Sequence, residues 1–243
     1  MLLAFFVTPM QASTSSLSSL EKESRQEVPQ EELRYRITWS GIPAGEAVLD
    51  TIKSGQFITY RLTARSLPYI DAIYPVRIHE ESIVTSDAHR PVSFYKRSRE
   101  GLMGKEGVTQ VLFNAKSGYV ELWKNGRFRG RLIVSEDVQD PLSCLFWYRT
   151  NGKPEHDVRL RITDGKKIIT GTAHMIKREE IETPAGIFDT FLLNPRMEGL
   201  SGVFKKSPGA EIMVWLTDDA RKIPVLVKSK VVVGYFSAEL ISR

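Results

Sequence analysis

The sequence has little cysteine, few histidines and no long apolar run. Cys144 is the only cysteine among 243 residues, which excludes an intrachain disulfide and a metal site built from several cysteines. The four histidines show no spacing that would bring them together as ligands. The apolar N-terminal run, residues 1–7, is far shorter than the roughly 20 residues of a membrane-spanning helix. The sequence therefore predicts no metal, no cofactor and no transmembrane span.

Length and charge are those of an ordinary globular chain. The 34 lysines and arginines exceed the 29 aspartates and glutamates by five, which is the net charge of +5. A chain of 243 residues can form one large domain or two small ones. From Leu33 onward no Pro-, Gly- or Ser-rich linker divides it, so we predict one β-rich domain over residues 33–243.

The first 32 residues differ from the rest in composition. Residues 1–12 combine an apolar run with Pro9 and small residues, as in a secretory signal, but they lack the basic segment that opens such a signal. We therefore expect a truncated signal peptide over 1–12. Residues 13–32 are rich in Ser, Glu and Gln and have few core-sized side chains, which predicts a flexible tether.

Hydrophobic residues recur with a period of two along most of the domain. Leu33, Tyr35, Ile37 and Trp39 alternate with polar residues, which is typical of strands with one buried face. Asn125-Gly126 joins two such runs, and Asp164-Gly165 joins two more; both dipeptides favour tight β-hairpins. Many short antiparallel strands predict a mainly β fold, either a curved sheet or a partly open barrel.

Two segments depart from this period. Asp140-Pro141 has the form of a helix N-cap followed by proline at the first helical position, and Asn151-Gly152 ends the run. This predicts a short amphipathic helix over 141–149 that covers one open side or mouth of the sheet. Residues 67–73 are the candidate for a second helical turn. The predicted fold thus has one or two short helices.

Four ordered motifs resemble a known family. They are Tyr35-x-Ile37-x-Trp39-x-Gly41-Ile42-x-Ala44-Gly45-x-Ala47, Asp140-Pro141-Leu142-Ser143 with Tyr148-Arg149, Thr183-Pro184-Ala185-Gly186-x-Phe188, and Trp215-Leu216-Thr217-Asp218-Asp219-x-Arg221-x-x-Pro224-Val225. Over residues 33–240 the chain resembles the bacterial family called domain of unknown function 3108 (DUF3108). The resemblance implies an exported protein of a Gram-negative bacterium, periplasmic or secreted. It carries over no catalytic or binding residue, because the family defines none.

Candidate catalytic residues each have a structural interpretation as well. Asp218 and Asp219 form a carboxylate pair, which could act in acid–base catalysis. Together with Arg221 they are also residues typical of a tight turn, where Asp accepts hydrogen bonds from backbone amides. Ser143 lacks a nucleophile elbow and lies in the first turns of the predicted helix, where serine commonly satisfies free amides. His79 could be a base or a ligand, yet no convergent partner accompanies it. Cys144 adjoins an apolar helix face, which is typical of a buried thiol.

Arginines at strand period form a candidate anion-binding surface. Arg127, Arg129 and Arg131 are predicted to project to one face of one strand, and Arg159 and Arg161 to one face of another. Two further clusters are Arg34 with Arg36, and Lys96 with Arg97 and Arg99. If these faces align, they would bind phosphate or carboxylate groups; otherwise they are a solvated sheet face. No helix-turn-helix, zinc spacing or stacking motif accompanies them, so nucleic acid is not the expected partner.

Large side chains on the predicted inner face form a candidate apolar groove. Its members are Tyr35, Trp39, Tyr60, Trp123 and Trp215. In a closed barrel these side chains fill the interior, whereas an open curved sheet can leave a groove between them for an apolar ligand. Core and groove remain alternatives at this point.

These patterns support three functional hypotheses. The first is a non-enzymatic binding or carrier protein of the cell envelope for a lipid-like or anionic ligand, by analogy with half-barrel lipoprotein carriers. The second is an envelope assembly or interaction protein that recognises a partner through its basic face. The third is a hydrolase, which would need a histidine beside Ser143 or a carboxylate in a cleft.

Overall fold

The computed structural model describes residues 29–197, 211–230 and 234–243. The predicted signal peptide over 1–12 lies outside the described residues, as does the predicted tether up to residue 28. The first strand begins at Glu31, two residues inside the predicted tether.

The first half of the domain is a run of eight strands with one helical turn. The strands are β1 Glu31–Trp39, β2 Ile42–Ser54, β3 Phe57–Ser66, β4 Val76–Thr85, β5 Pro91–Glu100, β6 Gly107–Asn114, β7 Tyr119–Lys124 and β8 Arg127–Ile133. A four-residue helix, α1 Pro68–Asp71, joins β3 to β4 within the segment predicted to hold a second helical turn. The β7–β8 hairpin turns at Asn125-Gly126, both with positive φ, as predicted.

The second half begins with a helix and continues with six strands. The elements are α2 Ser143–Asn151, β9 Val158–Thr163, β10 Ile168–Thr183, β11 Gly186–Arg196, β12 Ile212–Thr217, β13 Pro224–Lys230 and β14 Tyr235–Ser242. The β9–β10 hairpin turns at Gly165, which has a φ of 83°, as its Asp-Gly pair predicts.

All fourteen strands belong to one antiparallel sheet. Their order is β8-β7-β6-β5-β4-β3-β2-β1-β14-β13-β12-β11-β10-β9. The chain thus starts in the middle, meanders to one edge, crosses over through α2 to the other edge, and meanders back until β14 pairs with β1. The predicted class, a mainly β antiparallel curved sheet with short helices, is confirmed.

The sheet curls until its two edges approach each other. The segment before α2 covers the β9 edge: Gln139 N donates to Arg161 O at 2.7 Å, and Thr163 N donates to Gln139 O at 2.9 Å. The β9–β10 turn reaches β6 and β7, because a Cβ placed on Gly165 would lie 2.9 Å from a Val111 methyl. The result is a barrel-like trough whose two halves meet around α2.

The two ends of the trough differ in which connections they hold. Because neighbouring strands are antiparallel, connections that leave odd-numbered strands all lie at one end, which we call the front end. It holds the β1–β2, β3–β4, β5–β6, β7–β8, β9–β10 and β13–β14 connections. The back end holds the β2–β3, β4–β5, β6–β7, β10–β11 and β12–β13 connections.

Helix α2 fills the trough from the inner face, the face of the sheet that points toward it. Its Phe146 ring stacks on Tyr60 of β3 with centroids 3.6 Å apart. Leu33, Val111 and Val120 are fully buried in the same cluster. Each such buried side chain contributes roughly 1.5–3 kcal/mol relative to exposure, so the helix is held mainly by apolar contact.

The helix start differs from the prediction by two residues. Pro141 and Leu142 form a turn, and α2 begins at Ser143. Asp140 nevertheless caps the segment, since its Oδ1 accepts hydrogen bonds from the amides of Leu142 and Ser143, both at 2.8 Å. Its Oδ2 accepts a hydrogen bond from the Ser82 hydroxyl of β4 at 2.6 Å. One fully buried carboxyl group therefore ties the start of the helix to the sheet.

A buried ion pair ties down the other end of α2. Arg149 donates two hydrogen bonds to the Glu31 carboxylate of β1, at 2.7 and 2.8 Å. Its Nε donates to the carbonyl oxygen of Arg221 in the β12–β13 turn at 3.1 Å. The Arg149 side chain is only 9% exposed, so its charge depends on these partners for compensation.

We expect Arg149→Met to destabilise the protein strongly. The substitution keeps the apolar stem but leaves Glu31 half-buried without its partner, and breaking such a pair costs roughly 3 kcal/mol. Urea unfolding followed by circular dichroism measures the change. Arg221→Met is the control, because the Arg221 side chain is exposed and only its backbone contacts Arg149. An equally small loss in both variants would contradict the anchoring role.

Asp140 predicts a distinct pH dependence of stability. Burial raises the pKa of its carboxyl group from 3.8 to about 6, against the hydrogen bonds that favour the charged form. A raised folded-state pKa means that its contribution to stability is fully present below pH 3.8 and is lost as pH rises through 6.

Asp140→Asn should remove that pH dependence while keeping an oxygen for the helix amides. Relative to wild type, the unfolding free energy of the variant should rise by roughly 3 kcal/mol between pH 4 and pH 7. Urea unfolding of both proteins at several pH values gives this difference. A difference that stays constant across the range would show that the carboxyl group is not perturbed in the folded state.

Candidate functional site

An apolar pocket lies between α2 and the inner face of β9–β13. Its volume is about 210 Å³. One wall is α2, through Cys144, Leu145 and Tyr148, and the opposite wall is the sheet. The sheet wall carries mainly aliphatic side chains, among them Val158, Leu160, Leu193, Ile212 and Val214.

Strand alternation and small residues together create this pocket. On β9, Val158, Leu160 and Ile162 point inward while Arg159 and Arg161 point outward. Their partners on β10 are small: Leu160 pairs with Gly171, and Val158 pairs with Ala173. A larger side chain at Ala173 would enter the space under α2, whereas at Gly171 an added Cβ would already lie 2.8 Å from Ile162 Cδ1. Because such side chains are absent, a cavity remains beside the apolar cluster that Leu145 and Tyr148 of α2 form with the sheet.

One buried polar group in the pocket wall lacks a partner. The Tyr148 side chain lines the pocket and the residue is 5% exposed. Its hydroxyl oxygen is buried and makes no hydrogen bond within the described parts of the chain. Burial, and to a smaller extent the charge of Glu155, raises the pKa of this hydroxyl to about 12, so it is neutral. A buried hydroxyl without a partner costs about 1–3 kcal/mol, which a bound polar group would recover.

The size and lining of the pocket determine what it can hold. A dry, Leu- and Phe-lined cavity of about 150 Å³ in another protein binds benzene, so an apolar occupant of that size or larger fits here. Nothing in the wall carries a charge. Burial raises the pKa of the Cys144 thiol to about 12, so this cysteine is a small apolar contact and no nucleophile. The pocket therefore suits a hydrocarbon group with one hydrogen-bonding end.

The five aromatic residues predicted to form a groove do not line this pocket, which corrects that prediction. Tyr35 and Tyr60 are buried in the core that α2 fills. Trp215 points away from the pocket, between its partners Leu192 and Leu226, and is buried in the same core cluster; its indole donates to Glu179 at 2.7 Å. Trp123 packs edge-on against Phe128 on the outer face. Trp39 is 40% exposed at the front end.

The sequence did contain a signal for the pocket, although no residue of it was predicted. Gly171 and Ala173 interrupt a strand otherwise built of larger side chains, and glycine within a strand often marks a site that another group approaches closely. The signal has no meaning until Leu160 and Val158 are known to be the cross-strand partners.

The predicted arginine row on β8 is wrong, because the strand contains a β-bulge. Leu122 pairs with Gly130 and Trp123 pairs with Phe128, so Arg129 has no partner on β7. Arg131, opposite Glu121, consequently points to the outer face, whereas Arg127, opposite Lys124, points to the inner one. Arg131 forms an ion pair with Glu121 at 2.8 Å.

Arg159 and Arg161 do share the outer face of β9, but they do not extend the β8 row. The strands β8 and β9 lie at opposite edges of the sheet and do not pair. Arg161 instead donates to the Ser135 hydroxyl at 3.0 Å, just beyond the end of β8. The five predicted arginines therefore form no single basic surface.

A basic groove exists elsewhere on the outer face. It crosses β1–β5 and has a volume of about 370 Å³. Its arginines come from the two other clusters in the sequence and from strands between them: Arg34, Arg65, Arg77, Arg97 and Arg99. Cross-strand pairing aligns them, since Arg65 pairs with Arg77 and Arg77 with Arg99. Acidic partners neutralise most of this charge, since four of the five arginines form ion pairs: Arg34 with Glu32, Arg65 with Glu46, Arg77 with Asp71 and Arg97 with Glu106.

Comparison with known proteins places the chain in a family. The model of the family described as "Protein of unknown function (DUF3108)" matches residues 34–241. The chain belongs to the DUF3108 family. Comparison with curated proteins gave no match.

The DUF3108 fold also resembles a solved structure. This is the crystal structure of a β-barrel-like protein of domain of unknown function DUF1849 from Brucella abortus, with a TM-score of 0.55. The two are 12% identical, and the similarity covers 87% of this chain and 95% of the other. At this identity the likeness concerns the fold.

The candidate catalytic residues of this DUF3108 protein are dispersed. Ser143 is 1% exposed and its hydroxyl accepts a hydrogen bond from the Asp140 amide at 2.9 Å. His79 lies on the outer face beside Tyr95. Asp219 accepts hydrogen bonds from the Thr217 hydroxyl and from the amides of Arg221 and Lys222, as expected of a residue that stabilises a turn. Within the described ranges, no three His, Cys, Asp or Glu side chains converge as metal ligands.

Tyr148→Phe tests whether the pocket hydroxyl is unpaired in the free protein. Removing a buried hydroxyl without a partner should stabilise the free protein by about 1 kcal/mol, which raises the melting temperature by a few degrees. Tyr35→Phe is the matched control, because the Tyr35 hydroxyl donates to Pro224 O at 2.8 Å and its loss should destabilise. Differential scanning calorimetry measures both. Equal destabilisation of the two variants would show that Tyr148 is already satisfied.

Proposed function

We propose that this DUF3108 protein is a non-enzymatic binding or carrier protein of the bacterial cell envelope. Its ligand is lipid-like, with an apolar chain held in the pocket between α2 and β9–β13. The observation that carries the proposal is the combination of an uncharged, largely aliphatic cavity of about 210 Å³ with one buried, unpaired hydroxyl in its wall.

The physical basis of binding would be burial of hydrocarbon. Each methylene group removed from water contributes about 0.8 kcal/mol, so a few groups suffice for measurable affinity. The Tyr148 hydroxyl would form a hydrogen bond with the ester, hydroxyl or carboxyl group at the end of the ligand's apolar chain. This bond would orient the ligand more than it would strengthen binding, since the ligand group gives up a hydrogen bond to water in exchange.

Two features support a location in the envelope. Residues 1–12 resemble part of a secretory signal, and the motifs of the chain resemble those of exported proteins of Gram-negative bacteria. The single thiol fits an oxidising compartment because Cys144, on α2, faces the pocket and has no second cysteine to pair with. No helix among the described residues is both long and apolar enough to cross a bilayer.

A second candidate function is recognition of an envelope partner through the basic groove. The five arginines around a cavity of about 370 Å³ favour it. Arg99 forms no ion pair with any described residue, so its guanidinium group is available to an anionic partner. This function would not exclude the first, because the groove and the apolar pocket lie on opposite faces of the sheet.

Native mass spectrometry of protein purified from the periplasm tests the proposal. We expect a bound species whose mass matches a lipid recovered by organic extraction. Ala173→Phe should abolish the bound species, because the ring would occupy the pocket below α2. A wild-type protein that carries no lipid and binds no fluorescent fatty acid would contradict the proposal.

Thr170→Phe is the matched control for this experiment. Thr170 lies on the same strand as Ala173 but is exposed on the outer face, opposite Arg161. It should keep the ligand. Melting temperatures of both variants must stay near that of wild type, so that loss of ligand reports on the pocket and not on unfolding.

A further inference from the structure

Exposed aromatic residues of the described chain are all found at the front end. They are Trp39, Tyr69, Tyr74, Phe128, Tyr235 and Phe236, each at least 40% exposed. They belong to or adjoin the β1–β2, β3–β4, β7–β8 and β13–β14 connections. Among the described residues, the back end exposes aliphatic side chains such as Ile133 and Ile187 but no aromatic ring to the same extent. Such segregation is not expected for apolar side chains scattered singly over a surface.

The most exposed aliphatic residues of the front end extend this group. Ile73 in the β3–β4 connection is 73% exposed, and Met103 in the β5–β6 connection is 95% exposed. We call the six aromatic residues with Ile73 and Met103 the apolar rim. Neither Ile73 nor Met103 packs into the core, so their exposure contributes nothing to folding.

Backbone contacts hold the rim in place. Leu67 N donates to Ala44 O at 2.9 Å, Gly101 N donates to Pro75 O at 2.9 Å, and Ser40 N donates to Tyr235 O at 2.8 Å. The Tyr69 hydroxyl donates to Pro43 O across the β1–β2 and β3–β4 connections. Adjacent connections therefore present their apolar side chains from an ordered surface.

Positive charge lies at the same end of the sheet as the rim. Arg99, Lys105, Arg127, Arg129 and Lys167 lie at the front end, are exposed, and form no ion pair with any residue that the structure describes. The acidic residues nearby are engaged already: Asp71 with Arg77 at 2.5 Å, and Glu106 with Arg97 at 3.2 Å. The front end therefore combines exposed aromatic rings with uncompensated cations.

We propose that the front end docks onto the surface of a bilayer that contains anionic phospholipids. Tyr and Trp prefer the level of the lipid head groups, where one side of the ring is apolar and the other is wet. Lysine and arginine near an anionic leaflet each add a favourable electrostatic contribution. Charge complementarity between these exposed cations and an anionic leaflet argues for the membrane as the occupant.

Docking at this end would also bring the apolar pocket to the membrane. Met197 and Ile212, which line the pocket, lie at the ends of β11 and β12 nearest the rim. The docking inference goes beyond the proposed carrier function and does not depend on it. The variants that test it leave the pocket residues unchanged, so the two proposals can fail separately.

Sedimentation with vesicles tests the apolar rim. The probe is vesicles of phosphatidylcholine mixed with phosphatidylglycerol, compared with phosphatidylcholine alone. Wild type should bind the anionic vesicles, and Ile73→Asp with Met103→Asp should lower the partition coefficient by about tenfold or more. Ile133→Asp with Ile187→Asp is the matched control, since both residues are more than 60% exposed at the back end, at 85% and 63%. This control should bind as wild type does.

A charge-reversal pair tests the cations in the same assay. Arg127→Glu with Arg129→Glu should reduce binding by about tenfold at low salt, and the loss should shrink as ionic strength rises. Lys53→Glu with Lys116→Glu makes the same change in net charge at the back end and should have little effect.

Two outcomes would overturn the proposal. In the first, the wild-type protein does not bind anionic vesicles at low salt, or the front-end and back-end variants lose binding equally. In the second, the wild-type protein self-associates in solution and the rim variants abolish self-association without altering vesicle binding. That result would assign the rim to contact with a second copy of the chain. Melting temperatures near that of wild type are required of every variant.

Discussion

One helix satisfies the main constraint on this fold, which is that a single open sheet must bury its inner face. Fourteen antiparallel strands in one layer expose an apolar surface that no second sheet covers. Helix α2 fills the trough, and it is fixed at both ends by buried polar contacts, Asp140 with Ser82 and Arg149 with Glu31. These contacts determine how the helix lies, since apolar packing alone has no direction.

The pocket is a consequence of the same arrangement. A helix of nine residues cannot cover the whole inner face, and over β9–β13 the small residues Gly171 and Ala173 leave space beneath it. The cavity is largely apolar, because its wall offers few polar side chains, such as Tyr148 and Thr172, that could hold water. The apolar pocket thus lies inside the trough, and the arginines of the basic groove lie on its outer face.

Much of the fold could be predicted from local signals. The Asn125-Gly126 and Asp164-Gly165 hairpins formed as predicted, because positive φ at these positions depends on few neighbours. The arginine row on β8 could not be predicted. The bulge at Arg129 depends on how β8 pairs with β7, and one unpaired residue reverses the face of each residue before it.

By itself, the sequence determined the strands, the tight turns, the central helix and the family, since alternation, turn chemistry and motifs are local properties. Tertiary structure alone decided which faces meet, and hence that Tyr60 belongs to a filled core while Leu160 and Ala173 border a cavity. It also decided that connections distant in sequence share the front end. The physical reason is that alternation assigns a side chain to one of two faces, whereas curvature and strand order determine what each face contacts.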